Sequence, residues 1–404
     1  MRHPRFFVHL LVALLLCLIV TMPASAKSAA YQTGFVRWRA ADGAFSGWSR
    51  SGIALGHNAI QLDLKTASAG TDPYPAGGYN GRDFYNGGSF MVGEATSPIV
   101  PTSFAFTEAI ASWNADTPAG TWIETQISAR FGSRWTKWYN LGIWAADTST
   151  IERHSVRLQG DGDGFVAVDT LVLSNKKETA DAFQIKLRLF SANRGIPSVR
   201  NMSVAFSTTS ANPDTLTPGN PALWDKSLAV PQCSQMVYPD GGEVWCSPTS
   251  TSMVLGYWGW MPGPCEPRVR ATKDGVFDWV YDGHGNWPFN TAFAAVQGME
   301  GYVARFTSLA QAEPWVAAGV PVVMSIAWNK GDITGSTIPS TNGHLLVLVG
   351  FDVNGNPIIN DPAAASNDTV RVTYLRSEFE PLWLASSGGT VYLIHPPGQA
   401  VPSL

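Results

Sequence analysis

Residues 241–260 read GGEVWCSPTSTSMVLGYWGW, with one cysteine, Cys246, between a glycine-rich approach and a segment that predicts an α-helix as far as Trp258. Pro248 suits the first turn of a helix, where a missing N–H costs nothing. A thiol at the start of a helix lies near the positive end of the helix dipole, which lowers its pKa and favours the nucleophilic thiolate. The alternative interpretation is a small, buried and unreactive cysteine.

Two residues further along the chain complete a catalytic pattern with this cysteine. His344 opens the apolar run HLLVLVGFD, which predicts a buried strand, and Asp361 ends the next predicted strand, PIIND. If the two strands form a hairpin, the carboxylate lies beside the imidazole, orients the ring and stabilises its cation. Each residue alone also fits a structural role, as a histidine at a strand edge or an aspartate in an Asp-Pro turn. Together, in this order, they predict a Cys-His-Asp triad.

A glutamine ahead of the cysteine adds a fourth candidate. The amide of Gln235, with the backbone N–H of Cys246, is suited to hold the oxyanion that forms when a carbonyl is attacked. Gln232 competes for this role, and either residue also fits a plain surface position.

These stretches together resemble a known family. VPQCSQ, GGEVWCSPTSTSMVLGYW, GHLLVLVGFD and IINDPAA are similar to papain-like cysteine peptidases related to bacteriocin-processing, double-glycine leader peptidases, which is cysteine peptidase family thirty-nine. The resemblance covers about residues 228–394. It implies a papain-like α+β fold and a triad with a glutamine oxyanion donor.

The resemblance carries over to particular residues. It assigns Cys246 as nucleophile, His344 as base, Asp361 as the acid partner and Gln235 as the oxyanion donor. Members usually have Gly after the nucleophile, whereas this chain has Ser247. That departure leaves the oxyanion N–H in place and affects how closely a substrate approaches the backbone. The mechanism requires no metal or organic cofactor.

The first 26 residues predict export. A basic start with Arg2 and Arg5, an apolar run from Phe6 to Val20 and small residues at Ala24 and Ala26 are typical of a signal peptide cleaved after about Ala26. An uncleaved anchor is the alternative, but the run is short for a spanning helix of about 20 apolar residues. The sequence therefore predicts a secreted or periplasmic protein.

The rest of the chain divides at a change of pattern. Short alternating segments before Thr209, such as TWIETQISARF, GFVAVDTLVL and AFQIKLRLFSA, predict an all-β sandwich, with SFAFTEAIASW as a candidate helical piece. After a Pro- and Asn-rich stretch, three helices and then three strands predict an α+β domain. The predicted organisation is a signal peptide at residues 1–26, a β-sandwich domain at 27–209, a linker at 210–227 and a papain-like cysteine peptidase domain at 228–404.

Composition limits the partners. A net charge of -4 without a Lys/Arg cluster argues against a nucleic-acid surface, and the mature chain has no further long apolar segment for a membrane span.

Asp161, Asp163 and Asp169 in QGDGDGFVAVD offer too few oxygen ligands at the required spacing for calcium, so a turn between strands is the better interpretation. The histidines show no zinc-ligand spacing. The tryptophans of the sandwich pack in its core or stack on sugars, which leaves a cell-surface polysaccharide or protein as a candidate partner.

The sequence predicts a secreted cysteine peptidase or amidase that acts on a peptide or protein. A transglutaminase or a peptidoglycan amidase with the same triad is the first alternative. The second is a non-catalytic binding or surface-interaction protein that keeps a peptidase-like scaffold.

Counting cysteines gives one further prediction. Removal of Cys17 with the signal peptide leaves Cys233, Cys246 and Cys265 in an oxidising compartment, where pairs tend to form disulfides. If Cys246 is the nucleophile it stays free, and Cys233 then pairs with Cys265. The alternative is three reduced thiols in a cytosolic protein.

Overall fold

The computed structural model describes residues 31–175, 178–209 and 216–404. The predicted signal peptide at residues 1–26 lies outside the described residues, and so does the start of the predicted linker. We refer to residues 31–209 as the N-terminal domain and to residues 216–404 as the C-terminal domain. The chain from Tyr31 to Leu404 forms one compact unit, so the two domains are packed together.

The N-terminal domain is built from strands, because its sequence alternates apolar and polar residues between turn residues. The strands are β1 (Thr33–Arg39), β2 (Ser49–Ser51), β3 (Ile53–Leu55), β4 (Ile60–Leu62), β5 (Ser68–Thr71), β6 (Ser89–Thr96), β7 (Val100–Phe106), β8 (Glu108–Asp116), β9 (Thr121–Phe131), β10 (Arg134–Trp135), β11 (Tyr139–Trp144), β12 (Gly164–Ala167), β13 (Thr170–Leu173), β14 (Ala180–Ser191) and β15 (Ser198–Ser207).

These strands form two antiparallel sheets. Among the described residues, one sheet has the order β12-β13-β8-β15-β4-β3, with β1 on β15, and the other has the order β10-β9-β14-β6-β2, with β11 on β9, β5 on β6 and β7 on β14. Apolar side chains of both sheets share one core, including Ala111 and Val204 from the first sheet and Ile127 and Ile185 from the second. The prediction of a strand-built N-terminal part is confirmed.

The C-terminal domain combines a sheet with helices. Its elements are β16 (Lys226–Ser227), α1 (Cys246–Tyr257), α2 (Cys265–Val276), α3 (Trp287–Val296), β17 (Glu300–Arg305), α4 (Leu309–Ala317), β18 (Val322–Trp328), β19 (Thr341–Phe351), β20 (Pro357–Asn360), β21 (Arg371–Thr373), α5 (Arg376–Ser387) and β22 (Thr390–His395). Within the described residues its sheet has the order β17-β22-β18-β19-β20-β21, with β16 on β19.

Helix α1 is buried along most of its length, and polar contacts fix it to its neighbours. The Ser250 hydroxyl donates to the Leu345 carbonyl of β19 at 2.9 Å, and the Thr251 hydroxyl donates to the side chain of Asn290 in α3 at 3.1 Å. These hydrogen bonds offset part of the cost of burying a polar helix, although the buried Thr249 hydroxyl has no partner among the described residues. The start of α1 is thereby held against the first residues of β19.

The prediction of a helical piece in SFAFTEAIASW is wrong, since this segment forms β7 and β8. Residues 109–115 of β8 are all buried, so the strand shows no alternation of apolar and polar residues. One face of β8 lies in the core of the sandwich. The other meets the C-terminal domain, where the Val303 N–H donates to the Ser112 hydroxyl at 3.1 Å and the Asn114 amide donates to the Gly301 carbonyl at 2.6 Å. Burial of both faces removes the pattern that marks a strand.

Ion pairs also join the domains. Arg37 and Arg39 of β1 bind the Glu300 carboxylate at 2.8 and 2.9 Å, and Arg305 of β17 binds Glu108 of β8. The Arg37–Glu300 and Arg305–Glu108 pairs are largely shielded from solvent, so salt screens them less than it screens exposed pairs.

The predicted disulfide between Cys233 and Cys265 is confirmed, and Cys246 is the free cysteine of the described residues. The bridge joins the segment before Gln235 to the first residue of α2. A sequence separation of 32 residues corresponds to about 3 to 4 kcal/mol of stabilisation in the chain-entropy model. Disulfides are typical of proteins outside the reducing cytosol.

None of the helices in the described part of the chain is both long and apolar enough to cross a membrane.

Candidate active site

Cys246 is the first residue of α1 and lines a cleft of about 1230 Å³. The thiol is half-buried. The first N–H groups of a helix have no partners within the helix, so the start of α1 directs donors and a positive partial charge toward this cysteine.

His344 and Asp361 are brought together by the sheet. Strands β19 and β20 pair antiparallel, and Asp361 directly follows β20, so the strands place the two residues side by side. The His344 Nε2 lies 2.7 Å from the Asp361 Oδ1, and both side chains are buried. Since Nε2 faces the carboxylate, Nδ1 is the ring nitrogen that remains for the Cys246 thiol, and both residues line the same cleft.

The Asp361 carboxylate accepts four hydrogen bonds. Its Oδ1 accepts from His344 and from the Ala363 N–H at 2.9 Å. Its Oδ2 accepts from the Thr337 hydroxyl at 2.8 Å and from the Tyr374 hydroxyl at 2.7 Å. A fully hydrogen-bonded carboxylate stays ionised and cannot rotate freely, which fixes the imidazole in one orientation.

Asn360, beside Asp361, points elsewhere. Its Nδ2 donates to the Pro231 carbonyl at 3.1 Å, and its Oδ1 accepts from Arg371 at 3.0 Å. Successive side chains of a strand point to opposite faces, and the structure puts the aspartate on the face of the histidine.

Three positioning residues around the pair were not found by sequence reasoning. Thr337 and Tyr374 hold Asp361, and the ring of Trp328 packs edge-on to His344 with the ring centroids 5.6 Å apart. Trp328 ends the strand that pairs with the start of β19, so a correct prediction of strand pairing would have identified it. The two hydroxyls come from loops and carry no signal in the sequence.

The electrostatics of the site favour an ion pair. Burial raises the pKa of Cys246, but the hydrogen bond and charge of His344 outweigh burial, with help from the Leu345 and Ser247 N–H groups, and lower this pKa below its usual value. Burial lowers the pKa of His344, but the charge and hydrogen bond of Asp361 and the thiolate outweigh it and raise this pKa. The arrangement therefore supports a thiolate and an imidazolium in the resting site.

Gln235 and Ser247 lie on two sides of the cysteine. Gln235 lines the cleft and is 2% exposed, its Nε2 donates to the Glu243 carbonyl at 2.9 Å, and its Oε1 has no partner among the described residues. Gln232 is not among the residues that line the cleft. The Ser247 hydroxyl is buried and lies 3.0 Å from the Tyr392 hydroxyl.

Other charged residues are already paired. The Asp161 carboxylate accepts from the Tyr139 hydroxyl at 2.5 Å, and Asp163 binds Arg134 with both oxygens. Asp169 lies away from both, where it accepts from the Trp287 N–H. In the part of the chain that the structure describes, no cluster of three or more His, Cys, Asp or Glu is arranged to hold a metal ion.

Each of the two domains matches a different protein-family model. Residues 34–207 match the family model described as Peptidase C39 N-terminal domain, and residues 227–391 match the model described as Peptidase C39 like family. No curated protein matches the chain.

Solved structures show weaker similarity. A protein described as a C39-like peptidase from Bacillus anthracis shares 20% identity over 42% of this chain and 98% of its own, with a TM-score of 0.30. A study of carbohydrate-binding modules of the β-sandwich superfamily supplies a second match at 14% identity, over 41% of this chain and 58% of its own, with a TM-score of 0.18. Scores this low support no argument about a ligand.

Proposed function

We propose that this C39-like chain is an exported cysteine peptidase of papain-like architecture, in which Cys246 attacks the carbonyl of a peptide bond. One observation carries the proposal. The imidazole of His344 is held by Asp361 at 2.7 Å through Nε2, and it lines the same cleft as the thiol at the start of α1, whose pKa it lowers. A nucleophile, a base and a group that orients the base form the unit that acyl transfer requires.

The proposed reaction has two steps. The Cys246 thiolate forms a bond to the carbonyl carbon, and the His344 imidazolium gives its proton to the departing amine as the C–N bond breaks. Water then attacks the thioester, His344 takes a proton from this water, and the carboxylic acid leaves as the thiolate is restored. Asp361 remains ionised and holds the ring in both steps.

The negative oxygen of each tetrahedral intermediate needs donors. The backbone N–H at the start of α1 is one, and the Gln235 side-chain amide is the other. One amide hydrogen of Gln235 is used by the Glu243 carbonyl, which fixes the amide plane and leaves the second hydrogen for the oxyanion.

Gln235→Ala is expected to lower kcat by about 100-fold and to change KM little, because the lost donor acts on charge that exists only in the transition state. Steady-state hydrolysis of a cleaved peptide measures both constants. Gln232→Ala is the matched control and should behave as wild type. A change confined to KM would make Gln235 a substrate contact and not an oxyanion donor.

Alkylation of Cys246 tests the ion pair without knowledge of the substrate. In the native protein, iodoacetamide should modify Cys246 well below the pH at which an ordinary thiol ionises, because the lowered pKa keeps the thiolate populated until the pH falls through it. His344→Ala removes the two largest causes that lower this pKa and leaves burial, which raises it, opposed only by the Leu345 and Ser247 N–H groups, so alkylation near neutral pH should slow by more than about tenfold. Rates are measured by mass mapping of the peptide that contains Cys246.

Native protein that reacts only after denaturation would contradict the proposal and favour the non-catalytic scaffold. The catalytic alternatives, a transglutaminase and a peptidoglycan amidase, share the nucleophile. Release of free carboxylate from peptides in the presence of excess primary amine indicates hydrolysis, whereas formation of a new amide indicates transfer.

A further inference from the structure

The cleft that contains Cys246 is lined by both domains. Its N-terminal wall includes the turn that joins β12 to β13, residues 167–170, while Cys246 and His344 lie on the C-terminal side. The strand pair places Ala167 opposite Thr170, so Val168 and Asp169 form a two-residue hairpin turn at the tip. A substrate that reaches the thiol therefore also meets a part of the N-terminal domain.

Asp169 fixes this turn to the C-terminal domain. Its Oδ2 accepts from the Trp287 N–H, at the first residue of α3, at 2.7 Å, and its Oδ1 accepts from the Thr170 hydroxyl at 2.9 Å. Burial outweighs the Trp287 N–H and the Thr170 hydroxyl, which favour the ionised form of Asp169, and raises its pKa to about 7. Burial, followed by the charges of Asp169 and Cys246, raises the pKa of Tyr281, so the hairpin tip and the thiol act on the same tyrosine.

Val168 has an unusual backbone conformation. Its φ is 60°, in the left-handed region that two-residue hairpin turns require and that Gly, Asn or Asp normally occupies. A β-branched residue is strained there, and strained residues cluster at functional sites. The side chain of Val168 lines the cleft.

The cleft exposes further apolar side chains near Cys246. Met236, Val244 and Tyr281 line it and are 45%, 62% and 42% exposed. Exposed apolar groups gathered in one cleft indicate a surface that is covered when a ligand binds. With Val168 they give the cleft that contains Cys246 an apolar lining drawn from both domains.

We propose that the β12–β13 turn is a wall of the substrate-binding cleft and that Val168 selects peptides with an apolar side chain close to the cleaved bond. The inference rests on the proposed peptidase function and gives it a substrate class. The N-terminal domain is then a part of the enzyme's specificity and not a separate binding module.

Cleavage of a defined peptide mixture by Val168→Gly tests this inference. The mixture contains quenched fluorescent peptides in which each position in turn is Leu, Phe, Lys, Glu or Gly, and mass spectrometry identifies the cleaved bonds. Wild type should prefer Leu or Phe over Gly at one position near the cleaved bond. Val168→Gly should lower this preference in kcat/KM at least about tenfold, while the rate of Cys246 alkylation by iodoacetamide stays unchanged.

Leu158→Gly is the matched control. Leu158 also has φ of 60° and an apolar side chain, but it is 99% exposed and does not line the cleft. This variant should keep the wild-type preference. Asp169→Ala releases the turn from α3, so it should reduce the preference for Leu or Phe as Val168→Gly does. The melting temperature of the Asp169→Ala variant verifies that it is folded.

The outcomes separate the two proposals. An unchanged preference in Val168→Gly, with normal alkylation of Cys246, would overturn the role of the turn and leave the peptidase proposal in place. If Leu158→Gly loses the preference to the same extent as Val168→Gly, the effect is not specific to the cleft, and the proposed role of the β12–β13 turn is overturned. If wild type cleaves none of the peptides and Cys246 resists alkylation, the proposed function fails and this inference fails with it.

Discussion

Cys246→Ala is expected to abolish peptide hydrolysis, with a fall in kcat of more than about 10,000-fold, because no other group can form the acyl intermediate. The free energy of unfolding should change little, since the substitution removes a single sulfur from a half-buried side chain at the edge of a cleft. Hydrolysis of a cleaved peptide and thermal unfolding measure the two effects.

A spectroscopic readout tests the same variant without a substrate. The thiolate contributes to the raised pKa of His344, so removal of the sulfur should lower this pKa while Asp361 continues to hold it up. An NMR titration of the His344 ring in wild type and variant measures the change. Residual hydrolysis above about 1% of wild type, or an unchanged His344 pKa, would exclude Cys246 as the partner of His344 and as the nucleophile.

Asp361→Asn is expected to lower kcat by about 1,000-fold or more. The amide keeps the size of the side chain but removes the negative charge that stabilises the imidazolium, and it allows an N–H to face Nε2, which would favour the wrong tautomer of His344. The pKa of His344 should fall and that of Cys246 should rise, because each charge supports the other. Alkylation of Cys246 near neutral pH should slow accordingly.

Asn360→Ala is the matched control for this variant. Asn360 is as buried as Asp361, but its side chain binds Pro231 and Arg371 and does not contact His344. The Asn360→Ala variant should be less stable because it loses buried hydrogen bonds, and its kcat should stay within about tenfold of wild type. A larger loss of kcat in Asn360→Ala than in Asp361→Asn would overturn the assignment of the acid partner.

The local sequence predicted much of the fold because periodicity depends on neighbouring residues. The alternation in TWIETQISARF matches β9, and the segment after Cys246 matches α1 to within one residue. Sequence reasoning missed α2 and α5 and misread part of β8 as helical. The error in β8 arose from burial of both faces of the strand, which depends on a domain that lies far along the chain.

The sequence by itself determined the residue types of the candidate site and their order along the chain. It also predicted the disulfide, because the predicted loss of Cys17 with the signal peptide and a free Cys246 leave Cys233 and Cys265 as the single pair. Cys246 was identified by its place at a helix start, which is a local property. The hairpin that carries His344 and Asp361 was also predictable, since strands close in sequence tend to pair.

Only the tertiary structure decided which groups surround these residues. Thr337, Tyr374 and Trp328 come from other loops and strands, and each contacts Asp361 or His344 in a way that no local pattern records. The same holds for the turn at Val168, which the sequence presents as an ordinary Gly- and Asp-rich connection in a separate domain. Its place in the cleft follows from the packing of two domains, and side-chain contacts across such an interface depend on the whole fold and not on sequence spacing.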